Sequence, residues 1–541
     1  MAYLLAVLTG ILTAASFPLL EWWPLIFVAY VPMMIAMNEE PLMRRMRIGW
    51  VAGAVTLLGI QYWISHTMVF LSGFPWWAAI LVLLGYAATF GLSHALFGAL
   101  YGLIRTYSGR AAWIAIAPVA WVIIERTFPA LFPFYAGNAL FRTPVLMQSA
   151  EFIGIGGISA LIMLTNCAVA HAVEERARGR ASDYFVPIAT SCLWLILATW
   201  GAVRMHQVWS LPTKSNLAVA MIQPNVSVAE KRDRTWVSRI EAWNRTIEMT
   251  EAALSMSPDL LIWPEGGFPF QFILDSKDTK YANSQHPNHM YSRRLYKMAL
   301  DLNLDFIAGG LSRRGDRTRN SAMFFPRNEQ RVEMYDKQHL LPFGEHIPFA
   351  DRFPSLKTAI QGMTHHEPGA ADHTWDIDGV RLAVGICYEA IFPSIARRQM
   401  NHNDADVLLN LTNDVWFGDT AAPHLHLMVQ QARTIEMRSW LIRSTNSGVS
   451  AFIAPTGQIQ AIGEQGSEEI IALDVPIPNL PASVYRRFGD LWLYVYLAIC
   501  ALYLSYQYNA HRKKENPTGN LTNVTLSMDQ TERDVDEVER S

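Results

Sequence analysis

The chain has 541 residues, 51% of them hydrophobic, 11% aromatic and only 17% charged, where soluble domains carry about a quarter charged. Its formal charge of -3 excludes the strongly basic face with which a nucleic-acid binder neutralises phosphates. The four cysteines, Cys167, Cys192, Cys387 and Cys500, form neither a disulfide framework nor a CxxC-type metal site.

In chain order, the apolar residues gather first into long runs that predict membrane-spanning helices at 4–20, 22–37, 49–64, 76–104, 111–124, 152–170 and 185–203, with a last one at 491–506. Several approach the roughly 20 residues that about 30 Å of hydrocarbon demands. The run 111–124 is short, and an alternative reading folds it back as a re-entrant segment. No basic residue precedes the first run, so it reads as an anchor and not as a cleaved signal peptide. Cytoplasmic loops accumulate Lys and Arg, and here the charges alternate. Arg44, Arg45 and Arg47, then Arg105 and Arg110, then Arg176, Arg178 and Arg180, and finally Arg512, Lys513 and Lys514 lie on one side, whereas the connections near 21, 65–75 and 127–150 carry only Arg142. The N-terminus is thereby placed inside and the long segment before the last span outside the cytoplasm. The expected division is a transmembrane region at 1–207, an outer domain at 208–486, a C-terminal transmembrane helix at 487–510 and a polar tail at 511–541, read as disordered and cytoplasmic.

The outer segment has a different pattern. Short β-rich runs at 217–222, 260–263, 306–309, 381–386, 407–411, 450–454 and 470–475 are bounded by Pro, Gly, Asn and Asp, and polar-periodic stretches at 229–253 and 423–438 read as helices between them. Apolar strands alternating with helices predict a layered α/β domain around a buried sheet. Three runs end in reactive groups: Glu265 follows the strand 260–263, Lys337 follows Val332–Tyr335 and Cys387 follows Val384–Ile386. A carboxylate to accept a proton, a thiol to attack a carbonyl and a cation to stabilise the oxyanion are a complete set for acyl transfer. A lone cysteine is more often a small buried hydrophobe, and Cys167, Cys192 and Cys500 fit that reading inside apolar runs. Cys387 differs, because it stands where a strand gives way to Tyr388 and Glu389.

The words around these residues, W-P-E-G-G at 263–267, Y-D-K-Q-H-L-L-P-F-G-E at 335–345, G-I-C-Y-E-A-I-F-P at 385–393 and L-T-N-D-V-W-F-G at 411–418, resemble the nitrilase superfamily in its Glu-Lys-Cys order. With the flanking spans, P-F-Y-A-G-N-A-L at 133–140 and R-S-T-N-S-G at 443–448, the chain resembles the apolipoprotein N-acyltransferase family over about residues 1–510. That resemblance implies an αββα sandwich on an α-helical transmembrane bundle of about eight spans. It also implies a multi-pass enzyme of the bacterial inner membrane whose catalytic domain faces the periplasm. Such an enzyme moves an acyl chain from a membrane phospholipid, the donor, to the α-amino group of the N-terminal diacylglyceryl-cysteine of an apolipoprotein, the acceptor, with no metal or cofactor. Carried over by position, Cys387 matches the nucleophile that forms a thioester in a ping-pong cycle, Glu265 the general base and Lys337 the oxyanion-stabilising cation. Glu345 matches a second essential carboxylate, and Trp236, Tyr388, Glu389, Trp416 and Phe417 fall on positions near the pocket.

Other features stay open at this stage. The stretch between Phe268 and Met298, polar and irregular over 276–289, is longer than the family leads one to expect. Phe268, Phe270 and Phe272 after Glu265, with Trp416 and Phe417, are expected to border one cleft as an acyl-admitting lid, the rival reading being that they close the domain's own core. Glu125 and Arg126 form a candidate ion pair at the outer end of the fifth run. His424, His426 and His365-His366-Glu367 lack the H-E-x-x-H spacing of a zinc site. A membrane-anchored amidohydrolase would use the same triad with water as acceptor and leaves the spans unexplained, and a degenerate binding module is disfavoured because all three triad residues are present. The charge alternation has a direct test. A reporter fused after Arg142 or within 208–486 is expected to report a periplasmic position and one after Arg180 or Lys514 a cytoplasmic one. A cytoplasmic signal from the large domain would overturn the orientation.

Overall fold

Aliphatic runs bounded by turn-forming residues become the strands of two sheets. The computed structural model describes residues 1–515 apart from 71–72, 110–111, 181–183, 234, 274–284, 316, 328, 349–351 and 354–365. The tail from 516 onward, most of the polar stretch 276–289 and His365 therefore lie outside the described residues. In chain order the strands are β1 (Thr213–Gln223), β2 (Leu260–Ile273), β3 (Asp305–Arg314), β4 (Arg317–Phe325), β5 (Glu333–Asp336), β6 (Thr374–Ile377), β7 (Val380–Ile386), β8 (Val407–Thr412), β9 (Trp440–Thr445), β10 (Ala451–Ile453), β11 (Ile459–Ile462) and β12 (Glu469–Pro478). Among the described residues they form one six-stranded sheet in the order β12-β1-β2-β3-β4-β5 and another in the order β11-β10-β9-β8-β7-β6. The centres are parallel, β1-β2-β3 and β7-β8-β9, and the edges antiparallel.

Side chains alternate across a strand, which sorts the hydrophobic residues into layers. Leu260 and Ile262 of β2 meet Val384, Ile386, Leu409 and Ile442 of the second sheet in the space between the sheets. Leu261 and Trp263 face outward, onto Trp243 of the helix Trp236–Leu254 and Leu295 of the helix Pro287–Leu302. On the far face, Ala383, Leu408 and Leu441 pack on Met400 of the helix Pro393–Asn401 and on Leu427 and Met437 of the helix Ala422–Met437. Helix, sheet, sheet, helix is the resulting layer order, as expected.

The same helix Ala422–Met437 turns its other side, Leu425, Met428, Val429, Ala432 and Ile435, into a large apolar cluster shared with the N-terminal helices. Polar contacts fix this seam. Arg438 donates to Glu151 at 2.5 Å and to Gln148 at 2.7 Å, Arg204 pairs with Glu151 at 2.9 Å, and the Ile155 N–H donates to Glu436 at 2.7 Å. Gly154 bends the helix Ala150–Ala177 at φ 64, and a Cβ there would lie 2.3 Å from the Tyr485 ring, so only glycine admits the ring.

Among the described residues, four helices are long and apolar enough to cross a membrane: Trp76–Tyr107, Ala150–Ala177, Phe185–Trp209 and Leu491–Arg512. Leu42–Ile60 and Trp63–Phe70 meet the same test as a pair, bent by 52°. The runs at 4–20 and 22–37 yield shorter helical pieces, Ala2–Ala15, the 3-10 turn Trp23–Phe27 and Val31–Met37. Pro24 and Pro32 each start a new element there, because proline supplies no N–H to a preceding helix. The run at 111–124 becomes the helix Ala112–Thr127.

Two expectations are corrected here. Glu125 and Arg126 do not pair with each other, since adjacent helical residues point in different directions. Arg126 instead pairs with Asp490 and donates to the Tyr135 and Tyr485 hydroxyls, whereas Glu125 accepts from the Trp121 indole at 2.7 Å and the Ala136 N–H at 2.9 Å. Phe268 and Phe270 are not lid residues. They belong to β2, each is 2% exposed, and with Phe272 they fill the layer beneath the outer helices, Phe270 stacking on Tyr291 at 3.8 Å. Chain that reads as loop because of its Gly and Pro continues as strand here, and strand alternation drives the aromatics inward. Phe270→Ala is accordingly expected to lower stability by about 3–5 kcal/mol, read as a lower Tm of the solubilised enzyme. An unchanged Tm with altered lipid use would restore the lid.

Candidate active site

The site is assembled where the strand ends of both sheets meet. Between Trp263, paired with Ala308, and Phe268, paired with Gly310, β2 carries extra residues that bulge out of register. Gly309 permits this, because a Cβ there would come within 2.4 Å of the Pro264 carbonyl. Glu265 sits on the bulge and is 9% exposed. Lys337 follows β5 and is 2% exposed. Its Nζ donates to Glu345 at 2.9 Å to Oε1 and 2.8 Å to Oε2, and lies 3.7 Å from Glu265 Oε1. The Leu341 N–H also donates to Glu345 at 2.8 Å, and His366 Nδ1 lies 3.8 Å from the same carboxylate.

Asn320, on β4, is the residue that sequence reasoning missed. Its side-chain amide donates both hydrogens, to Glu265 Oε1 at 2.6 Å and to Glu345 Oε1 at 2.8 Å, and its backbone carbonyl accepts the Lys337 backbone N–H at 2.8 Å. It stands in the unremarked stretch R-T-R-N-S-A, so no local motif marks it.

Cys387 begins the 3-10 turn Cys387–Ile391 with φ 51, a left-handed conformation that costs a non-glycine residue about 1–3 kcal/mol. Glu389, fully buried, holds that turn against the Lys337 loop. It accepts from the Ile386 N–H at 2.7 Å, the Gln338 N–H at 2.8 Å, the His339 N–H at 3.0 Å and the Tyr335 hydroxyl at 2.8 Å. Tyr388 reaches the other way. Its hydroxyl donates to the Leu131 carbonyl, and its ring packs on Phe132 at 5.8 Å. Phe132 continues to Trp63 at 4.9 Å and Trp63 to Phe417 at 4.8 Å, so an aromatic chain joins the cysteine turn to the membrane bundle. Trp416 packs partly buried against the same cluster. Trp236 lies elsewhere, 41% exposed on the outer helix layer and stacked on Phe270 at 6.3 Å.

The charges explain one another. Burial opposes the Lys337 ammonium, but Glu345, Glu265 and Cys387 raise its pKa well above the ordinary lysine value. Burial opposes ionised Glu345 too, and the Lys337 ammonium overcomes it and holds the carboxyl below the usual range. For Cys387 burial dominates and Glu265 adds to it; Lys337 opposes them but does not reverse the rise, so the thiol is held well above its ordinary pKa. The Cys387 side chain is therefore held as the neutral thiol. Beneath the turn, Arg443 donates to Asp414 at 2.6 Å and His426 Nδ1 lies 2.9 Å from Asp414. Asn410 donates to the Gly385 carbonyl at 3.3 Å and the Cys387 carbonyl at 3.5 Å. His426 is thus engaged with Asp414 and Gln430, and no group of three or more metal-ligating side chains occurs among the described residues.

The comparisons with known proteins divide the chain as its composition does. A family model described as Apolipoprotein N-acyltransferase N-terminal domain matches residues 9–168, and one described as Carbon-nitrogen hydrolase matches residues 218–482. The chain is similar to an apolipoprotein N-acyltransferase of Geobacter metallireducens, 30% identical over 512 residues that cover 92% of this chain and 94% of that one. It is also similar to one of Bdellovibrio bacteriovorus, 28% identical over 92% of both chains. Apolipoprotein N-acyltransferase 2 of Leptospira interrogans is 27% identical over 83% of this chain and 86% of that one.

Asn320→Ala leaves two buried carboxylates short of a donor each. Charge-assisted hydrogen bonds contribute about 1.5–3 kcal/mol, so kcat is expected to fall at least about tenfold, with the fold retained by circular dichroism. Wild-type turnover in that variant would show that Asn320 does not position the acids.

Proposed function

The chain belongs to the apolipoprotein N-acyltransferase family and is an acyltransferase, and on that premise we propose how its residues carry out the transfer. The donor is a membrane phospholipid and the acceptor the α-amino group of an apolipoprotein's diacylglyceryl-cysteine. Glu265 takes the Cys387 proton as the sulfur attacks the donor's ester carbonyl. Lys337 stabilises the tetrahedral oxyanion, and Glu265 returns the proton to the leaving alkoxide, so that lysophospholipid departs and a Cys387 thioester remains. The acceptor amine, deprotonated with help from Glu265, attacks the thioester; collapse expels the sulfur and yields the amide. Glu345 and Asn320 hold Lys337 and Glu265 in place, while Glu389 and Tyr388 position the cysteine turn.

The observation that carries this reading is the buried Lys337 ammonium held between Glu345 and Glu265, beside a thiol that is neutral at rest. A cation already neutralised on one side and fixed in place can meet a developing oxyanion without reorganisation. The aromatic chain from Tyr388 to the bundle supports delivery of a lipid ester from the membrane. The arginine alternation supports a multi-pass orientation of about eight crossings, the shorter apolar helices included, with the catalytic domain on the periplasmic face of a bacterial inner membrane. Tethering both reactants in one plane raises their effective concentration.

Enzyme given labelled phospholipid without acceptor should gain one acyl group, labile to neutral hydroxylamine, on the peptide containing Cys387. Cys387→Ala should abolish the adduct and turnover, and Lys337→Met should slow adduct formation by about 10²–10³-fold. An adduct mapped to Cys167, Cys192 or Cys500, or full activity in Cys387→Ala, would refute the assignment.

A further inference from the structure

Away from the cysteine turn, a cavity of about 260 Å³ opens where the catalytic domain meets its C-terminal membrane helix, lined by Arg126, Ser394, Arg397, Tyr485, Asp490 and Tyr494 among others. Arg126 is paired with Asp490. Arg397 is different. It donates to the carbonyls of Arg486 at 2.8 Å and Arg487 at 2.6 Å, contacts that fix the guanidinium without neutralising it, and no carboxylate pairs with it among the described residues. Two helices also begin at this cavity, Pro393–Asn401, with Ser394 in its first turn, and Leu491–Glu515. Helix N-termini carry partial positive charge; in the first helix Pro393 has no N–H and the Ile395 and Ala396 N–H groups donate to the Phe392 carbonyl, so the Ser394 N–H is the one its first turn offers. The rim is aromatic and open: Tyr494 is 66% exposed and Phe488 59% exposed, the residue types that settle at the headgroup level of a bilayer. Leu491 lies in the same lining and starts the membrane-crossing helix.

We propose that this cavity binds the phosphate of a second, non-reacting membrane phospholipid, with the Arg397 guanidinium and the first turn of the helix Pro393–Asn401 as its ligands and its acyl chains lying along the helix Leu491–Glu515. The site takes a phosphodiester and not a carboxylate-bearing peptide, because the positive groups converge at a membrane-level rim of Tyr and Phe. It is separate from the chemistry at Cys387 and holds whether or not the thioester sequence above is right.

The test uses full-length enzyme in vesicles of phosphatidylglycerol and phosphatidylethanolamine that contain a trace phospholipid with a photoactivatable headgroup, and maps crosslinks by mass spectrometry. Wild-type enzyme and Cys387→Ala should both carry a lipid adduct on the peptide spanning Phe488 to Tyr494. Ser394 is exposed, so Ser394→Asp places a negative charge in the cavity without disturbing the core. It should reduce the adduct at least about tenfold, as a repulsive charge that offsets one charge-assisted contact, with unchanged Tm, while Ser394→Ala retains it. Absence of the adduct, equal labelling in Ser394→Asp, or its loss in Cys387→Ala would overturn the proposal. Complete displacement by millimolar inorganic phosphate would also overturn it, by assigning the cavity to a free anion.

Discussion

Beyond the exposed His424 in its first turn, the helix Ala422–Met437 is enclosed on both sides, and the placement of everything else follows from that constraint. Leu427 and Met437 press on the second sheet while Leu425, Met428 and Ile435 press on the membrane bundle, so polar residues on it have no water to turn to. Buried polar groups seek partners, and Gln431 and Glu436 find theirs in part across the seam, at Phe141 and Ile155. Gln431 donates to the Phe141 carbonyl at 3.0 Å and the Gly457 carbonyl at 2.6 Å, and Glu436 accepts from Ile155 and faces Arg433 at 3.1 Å. A helix shared in this way seats the sandwich in one orientation, with the turn that carries Cys387 directed at the loop that carries Leu131 and Phe132.

Within that frame the site is an exercise in balancing buried charge. An isolated ammonium as buried as Lys337 would lose its proton, and Glu345 at 2.8 Å with Glu265 at 3.7 Å prevents that. The same two acids make a thiolate costly, since a third negative charge would join them in a poorly solvated space. A neutral sulfur, a carboxylate with one oxygen directed at Lys337 and a fixed cation are thus a single electrostatic solution, in which changing any member shifts the protonation of the others.

Much of this is legible in the sequence because it rests on local physics. Aliphatic strands such as Leu260–Trp263 and Val407–Leu411 are flanked by residues that end strands, and the reactive groups come directly after them. The membrane region is less legible, because hydropathy reports apolar length but not the interruptions at Pro24 and Pro32 or the bend after Ile60. Phe268 to Phe272 mislead for a related reason: Gly266, Gly267 and Pro269 signal loop, and only the absence of a side chain at Gly309, on the neighbouring strand, lets the chain resume as β-structure. Asn320 leaves no local mark, and although Asp414 and Arg443 stand in two of the quoted words, nothing local shows that they pair. Their significance arises from partners 25 to 55 residues away, which no window of sequence brings together.

The anchoring of the cysteine turn is uneven. On the side of the sandwich, one carboxylate, Glu389, gathers donors from the strand before Cys387 and from the Lys337 loop, so prising these apart would strip several charge-assisted bonds in one event. On the side of the bundle, Tyr388 offers one neutral hydrogen bond and ring contacts. Resistance to opening is therefore anisotropic. Separating the turn from the Leu131–Phe132 loop therefore breaks fewer polar contacts than separating it from the Lys337 loop.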